Sequence, residues 1–220
     1  AFVVDAISAL GIFDVQSDEW RIDMAVGASQ KALMLPPGLA FVSLSEKARR
    51  LMEPTKSSRY YFDLRKELRT QEKDEAAYTP AVSLVVGLGE ALTMLREEGL
   101  KNVFSRHARL ARAARDAARA IGLDLFAETA PTEACTAIRT PAGLDGGAIV
   151  RTMRERYGVQ IAGGQDRVKG KIFRISHMGF VDRFDLVVAL SALEMTLADL
   201  GQKIKLGAAV GAAETVLREG

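Results

Sequence analysis

The sequence predicts an α/β protein, with a mainly parallel sheet in its first part and a smaller α+β domain after it. Three observations lead there. Short apolar segments joined by turns fill residues 1–45. Two long stretches with helical spacing occupy the middle. From residue 123 a strand–helix–strand–strand–helix order appears, the pattern of an α+β layer. The expected boundary lies near residue 100 and separates 1–100 from 101–220.

The elements follow in order. "AFVV" (1–4) is continuous and apolar, as expected of a strand covered on both faces. "IDMAVGA" (22–28) and "GLAFVSLS" (38–45) read as two more strands. "SEKARRLM" (45–52) reads as a short helix capped by Ser45. Residues 53–78 are polar and aromatic and read as irregular structure around one short helix. Thr79 as N-cap and Pro80 as first helical residue open the next helix. Val82, Val85, Val86, Leu88, Leu92 and Leu95 keep its spacing, and Gly99 ends it. A second helix, 101–121, carries Arg106, Arg109, Arg112, Arg115 and Arg119, read as a solvated face with apolar stems. "TEACTAIRT" (132–140), "VQIAGG" and "KGKIFRISHMGF" read as strands. Helices are expected over 144–158, over 182–201 with Asp182 as cap, and over 202–220.

Composition excludes several function classes. A formal charge of +2 on 220 residues gives no basis for nucleic-acid or anionic-membrane binding. Cys135 is the one cysteine, so neither an internal disulfide nor a cysteine-rich metal site is expected. Two histidines, His107 and His177, make a zinc site unexpected. No apolar run is long enough to span a bilayer, and a reducing, cytoplasmic setting is the default expectation. The opening "AFVVDAISALG" begins inside a strand pattern without an initiator methionine, so the chain is expected to be part of a longer one.

Chemistry concentrates at Asp5 and Lys31. Asp5 follows an apolar strand, and a carboxylate at the carboxyl end of such a strand faces the crevice where α/β sheets bind ligands. Lys31 follows "MAVGA" and precedes "PPG", among apolar neighbours. A lysine withdrawn from water serves as nucleophile or general base. Pyridoxal phosphate reconciles an acid with such a lysine, because its protonated ring nitrogen pairs with an aspartate and its aldehyde condenses with the amine.

Four blocks carry a resemblance: "VVDAISALG" (3–11), "DMAVGASQKALMLPPGLAFVSLSEKA" (23–48), "YTPAVSL" (78–84) and "GGQDRVKGKIFRISHMG" (163–179). In them the sequence resembles the fold-type I, class-V aminotransferases that depend on pyridoxal 5′-phosphate, in particular the alanine–glyoxylate and serine–glyoxylate aminotransferases. The resemblance runs through essentially the whole chain and corresponds to the carboxyl-terminal part of such an enzyme: residues 1–100 as the end of its cofactor-binding large domain, 101–220 as its small domain. It implies Lys31 as the Schiff-base lysine and Asp5 as the partner of the pyridinium nitrogen. Gln30 resembles a phosphate-contacting glutamine, and Thr79 a threonine that reaches the phosphate from the neighbouring subunit of a homodimer. Arg174 resembles the arginine that clamps the substrate carboxylate, a task suited to a planar fork of donors. His177 is expected either to line the substrate pocket or to be a structural histidine. The implied reaction is ping-pong amino-group transfer from a small amino acid, alanine or serine, to a keto acid such as glyoxylate.

The sequence departs from the family pattern at Ala76, where some members carry a tyrosine. The family's glycine-rich phosphate loop and its ring-stacking aromatic residue fall before Asp5, outside this sequence. Other readings stay open: phosphoserine aminotransferase, a cysteine-desulfurase-like enzyme with Cys135 as the one candidate nucleophile, or a non-catalytic fragment or assembly subunit.

Overall fold

The computed structural model describes residues 1–127 and 129–219 and divides into two compact units, Ala1–Leu100 and Lys101–Gly220. The first unit holds β1 (Val3–Asp5), β2 (Met24–Ala28), β3 (Ala40–Leu44), α1 (Glu46–Met52), α2 (Leu64–Gln71) and α3 (Val82–Glu98). Its sheet has the order β1-β2-β3. β1 and β2 run parallel, with Val3 opposite Met24 and Asp5 opposite Val26. β2 and β3 run antiparallel, so within this chain the sheet is mixed, not mainly parallel. Residues 29–39 separate β2 from β3. That link is too short for the crossover a parallel return requires.

Asp23 fastens the end of the sheet where β2 begins. Its Oδ2 accepts from the Phe2 N–H (2.7 Å) and from Lys47 Nζ (2.8 Å), and its Oδ1 from Ser45 Oγ (3.1 Å). The Lys47 hydrogen bond, with that from Phe2, pulls its pKa from 3.8 down to about 2. One carboxylate thus ties β1, the turn into α1 and the start of β2 together. Ser45 also caps α1 by accepting from the Ala48 N–H.

Two expectations for this unit need correction. β1 is not covered on both faces: Phe2 is 54% exposed and Val3 56%. In α3, Val82, Val85 and Val86 face outward, while Ala91 and Leu95 are buried. The helix also starts two residues later than the Thr79–Pro80 signal implies. Ala81 is its N-cap without a side-chain hydrogen bond, and the Pro80 carbonyl accepts from the Val82 N–H in a turn before the first helical bond.

The second unit holds α4 (Leu100–Ala120), β4 (Cys135–Arg139), α5 (Gly146–Tyr157), β5 (Ala162–Gly163), β6 (Ile172–Ser176), α6 (Arg183–Asp199) and α7 (Ala208–Leu217). Its sheet is antiparallel, in the order β4-β6-β5. One face of that sheet, with Ile138, Phe173 and Ile175, packs into a core with Met153, Leu190, Leu193 and Leu197 from the helices. α4 buries Ala113, Ala114, Ala117 and Ala118. Methyl-sized side chains let its backbone approach its neighbours closely, which is why so polar a helix lies against a core. Asp182 caps α6 in a reciprocal capping box with Asp185. α7 begins later than the spacing predicts, and Gly220, at the end of the predicted segment, lies outside the described residues.

Both histidines of this unit are fully buried. His107 is fully buried; Nδ1 lies 2.8 Å from the Val103 carbonyl, and Nε2 accepts from the Gly179 N–H at 3.1 Å. That pair of partners requires the neutral ring protonated on Nδ1. His177 is also fully buried, with Nε2 3.0 Å from Thr136 Oγ1. Burial, reinforced by the charge of Arg115, pushes the His177 pKa from 6.5 down to about 4. An unfolded chain therefore binds a proton there that the folded chain refuses. Stability from this group is complete above pH 6.5 and falls as pH drops toward 4, the loss reaching about 3 kcal/mol. Urea titrations across this window are expected to show the loss, and His177→Gln to flatten it.

Candidate active site

The loop after β2 is built by Ser29. Its side chain is fully buried, its Oγ donates to the Pro36 carbonyl (2.8 Å), and the same oxygen accepts from the Leu39 N–H (3.2 Å). Its backbone joins in: the Ser29 N–H donates to the Leu39 carbonyl, and the Ser29 carbonyl accepts from Leu35. Residues 29–39 thus close on themselves, with Lys31 at the bend. The Lys31 carbonyl accepts from the Met34 N–H (3.0 Å), and Met34 itself adopts a left-handed backbone at φ 62°. Ala32 and Leu33 are buried and anchor the loop from inside. Lys31 is half-buried, so it is only partly withdrawn from water.

Two glycines let α3 and this loop approach. A Cβ at Gly87 would stand 2.9 Å from Leu35 Cδ2, and one at Gly38 (φ +148°) would stand 2.5 Å from Leu84 Cδ1. Gly38 thus follows the two prolines because the chain must turn there directly against a helix. Ser29→Ala removes both side-chain bonds and strands the Leu39 N–H. It is expected to cost about 2 kcal/mol in urea denaturation.

Asp5 ends β1, the strand beside β2. It is exposed, and its Oδ1 accepts from the Ile7 N–H (2.9 Å), which starts the turn after the strand. In register it lies opposite Val26, and β2 continues two residues, about 7 Å, before the Lys31 loop. Adjacent strands lie about 4.8 Å apart. Asp5 and Lys31 therefore leave the carboxyl ends of neighbouring parallel strands, at one rim of one sheet. Gln30 and Thr79, in the same unit, are both exposed.

Arg174 sits in the second unit, on β6 between Ala137 of β4 and Ala162 of β5. Its neighbours Phe173 and Ile175 point into the core, so strand alternation puts Arg174 on the other face. Its Nε donates to the Gly163 carbonyl (3.1 Å), which fixes the guanidinium plane. Gly164, before this strand, is required by packing: a Cβ there would fall 2.0 Å from the Val168 carbonyl oxygen. His177 is fully buried, with Nε2 beside Thr136 Oγ1 and no hydrogen-bond partner for Nδ1 among the described residues.

Residues 1–187 match the family model described as aminotransferase class-V. The chain belongs to the class-V aminotransferase family. That family works with pyridoxal 5′-phosphate. Among relatives of this family member, a Synechococcus protein named soluble hydrogenase, small subunit, is 43% identical over 217 residues, covering 98% of this chain and 56% of its own. The serine–glyoxylate aminotransferase of Methylorubrum extorquens is 39% identical over 223 residues, covering 98% and 56%. The crystal structure of pyridoxamine–pyruvate aminotransferase from Mesorhizobium loti superposes with a TM-score of 0.93 at 32% identity, covering 99% of this chain and 57% of that one. The chain spans about half the length of the curated relatives it matches.

The ladder Arg106–Arg119 on α4 is only partly the solvated face the sequence suggests, since Arg106, Arg109 and Arg115 are half-buried. Arg106 donates to the Gly179 carbonyl, Arg112 pairs with Glu219, and Arg119 with Asp116. Ser29 was missed by sequence reasoning, which treated the residues before Lys31 only as small. The available signal was a serine at the end of an apolar strand, a residue type that bonds nearby backbone. No helix among the described residues is long and apolar enough to cross a membrane.

Proposed function

We propose that this chain forms the lysine-bearing part of a pyridoxal-phosphate-dependent aminotransferase that moves an amino group from a small amino acid, alanine or serine, to a keto acid such as glyoxylate. The observation that carries the reading is the emergence of Asp5 and Lys31 at one rim, from neighbouring parallel strands. The donor set fits the cofactor chemically: a carboxylate for the ring nitrogen, an amine for the aldehyde, and Gln30 with Thr79 for the phosphate. Thr79 is exposed, as a group serving a neighbouring subunit of a homodimer must be.

The cofactor, when bound, supplies the electron sink for the pair released at the substrate α-carbon. Asp5 holds the proton on the ring nitrogen. Lys31 Nζ takes the proton from the α-carbon and returns it on the other side of the exchange. Arg174 binds the substrate carboxylate with a plane already set by Gly163. A single cysteine fits a reducing, cytoplasmic setting.

The desulfurase alternative is disfavoured because Cys135 lies in β4, paired with Ser176, where a nucleophile cannot swing toward a substrate.

Borohydride reduction in the presence of pyridoxal phosphate, followed by peptide mass spectrometry, tests the assignment. A pyridoxyl group confined to the peptide carrying Lys31 is expected. Label spread over other lysines, or none, overturns it.

A further inference from the structure

We propose that the second unit carries a binding site for a small phosphate dianion in the cavity between α4 and the start of α6. The cavity measures about 320 Å³ and is lined by Asn102, Ser105, Arg106 and Arg109 of α4, by Asp182 and Arg183, and by Leu110 and Leu217. The four polar α4 residues fall at i, i+3, i+4 and i+7, which is one helix face. Three arginines and one aspartate therefore line one hollow.

That carboxylate is already committed. Asp182 Oδ1 accepts from the Phe184 and Asp185 N–H groups, and Asp185 Oδ2 accepts from the Asp182 N–H. Both carboxylates of this capping box thus face backbone N–H groups. Glu219, another acid close to this end of α7, is paired with Arg112. Arg109 and Arg183 make no ion pair among the described residues. Arg106 is braced by the carbonyls of Gly179 (2.9 Å) and Val181 (3.3 Å), which fixes its position at the wall.

Arg183 is the first residue of α6, a 17-residue helix. A cation at a helix N-terminus is opposed by the macrodipole, and an anion beside it relieves both charges. Leu110 and Leu217 lower the local dielectric and strengthen any charge-assisted bond made in the hollow. Ser105 adds a hydroxyl suited to phosphate oxygens. The ligand class that matches this set is a phosphate or phosphate monoester, held mainly by Arg109 and Arg183. Gln30 and Thr79 belong to the other unit.

Calorimetric titration of the chain with inorganic phosphate in low-chloride buffer tests this. Saturable binding is expected, weakened about tenfold or more by Arg183→Glu and by Arg109→Ala, and unchanged by Thr79→Ala. Arg183 is exposed, so its variant is expected to keep the wild-type circular dichroism even if the Arg109 variant does not. Absence of binding overturns the proposal. So does binding that survives Arg183→Glu but disappears in Thr79→Ala, which would assign the phosphate to the proposed cofactor cradle instead.

Discussion

Lys31→Ala is expected to lower amino-group transfer between alanine or serine and glyoxylate by about ten-thousandfold or more, with little change in stability. The first half of that expectation rests on two duties assigned to one amine. It anchors the cofactor, and it carries the α-carbon proton, a role worth roughly a hundred- to ten-thousandfold by itself. The second half rests on how the loop is held. The bend at Lys31 is fixed by Ser29, by the buried side chains of Ala32 and Leu33, and by the backbone bond from Met34 to the Lys31 carbonyl, all of which alanine preserves. Added methylamine is expected to restore part of the rate, since a free amine can occupy the space the side chain leaves. A coupled assay for product keto acid reads both effects. A variant that keeps wild-type turnover would remove Lys31 from the reaction.

Glu194→Ala is expected to destabilise the second unit by about 3 kcal/mol, lowering its melting temperature by roughly 10 °C. Glu194 lies within α6 at 3% exposure, yet it serves a different helix. Its Oε2 accepts from the Gly207 N–H (2.7 Å) and its Oε1 from the Ala209 N–H (2.6 Å), at the start of α7. The N-cap of α7 is Gly207 in a left-handed conformation, which has no side chain to satisfy those donors. Removing the carboxylate leaves two backbone N–H groups, that of Ala209 buried, without acceptors and removes a negative charge from a helix N-terminus. Glu194→Gln keeps one acceptor oxygen and is expected to lose about half as much. Calorimetric melting of the three proteins checks the order.

Glu194 also marks the limit of what the sequence disclosed. In the sequence it is a lone acid in an apolar helical stretch, and its partners lie thirteen and fifteen residues away in another element. No local rule connects them. The caps Ser45 and Asp182 were legible because each bonds within three residues of itself. Thr79 misled for the related reason that a good capping sequence, Thr-Pro, fixes only where a helix is able to start. Packing of Gly87 against Leu35 and of Gly38 against Leu84 governs where α3 settles, and it starts at Val82. The apolar spacing of α3 was read correctly as helical, but its valines turned out to lie on the outer face.

The candidate site divides along the same line. Asp5, Lys31, Gln30, Thr79 and Arg174 were named from contiguous blocks. Ser29 was not, because its importance lies in bonds to Pro36 and Leu39 that exist only once the loop closes. His177 was left between pocket and frame. Only burial and the Thr136 contact give it a place inside the second unit.

The sequence by itself determined the element types, which are written in short-range spacing and turn chemistry, and, through the resemblance of four blocks, the family and the candidate residues. Only the tertiary structure decided that β3 returns antiparallel, which face of each helix is buried, and that Glu194 and Ser29 hold distant backbone. Those outcomes depend on hydrogen bonds and close approaches between segments remote along the chain, and local propensity carries no record of such pairings.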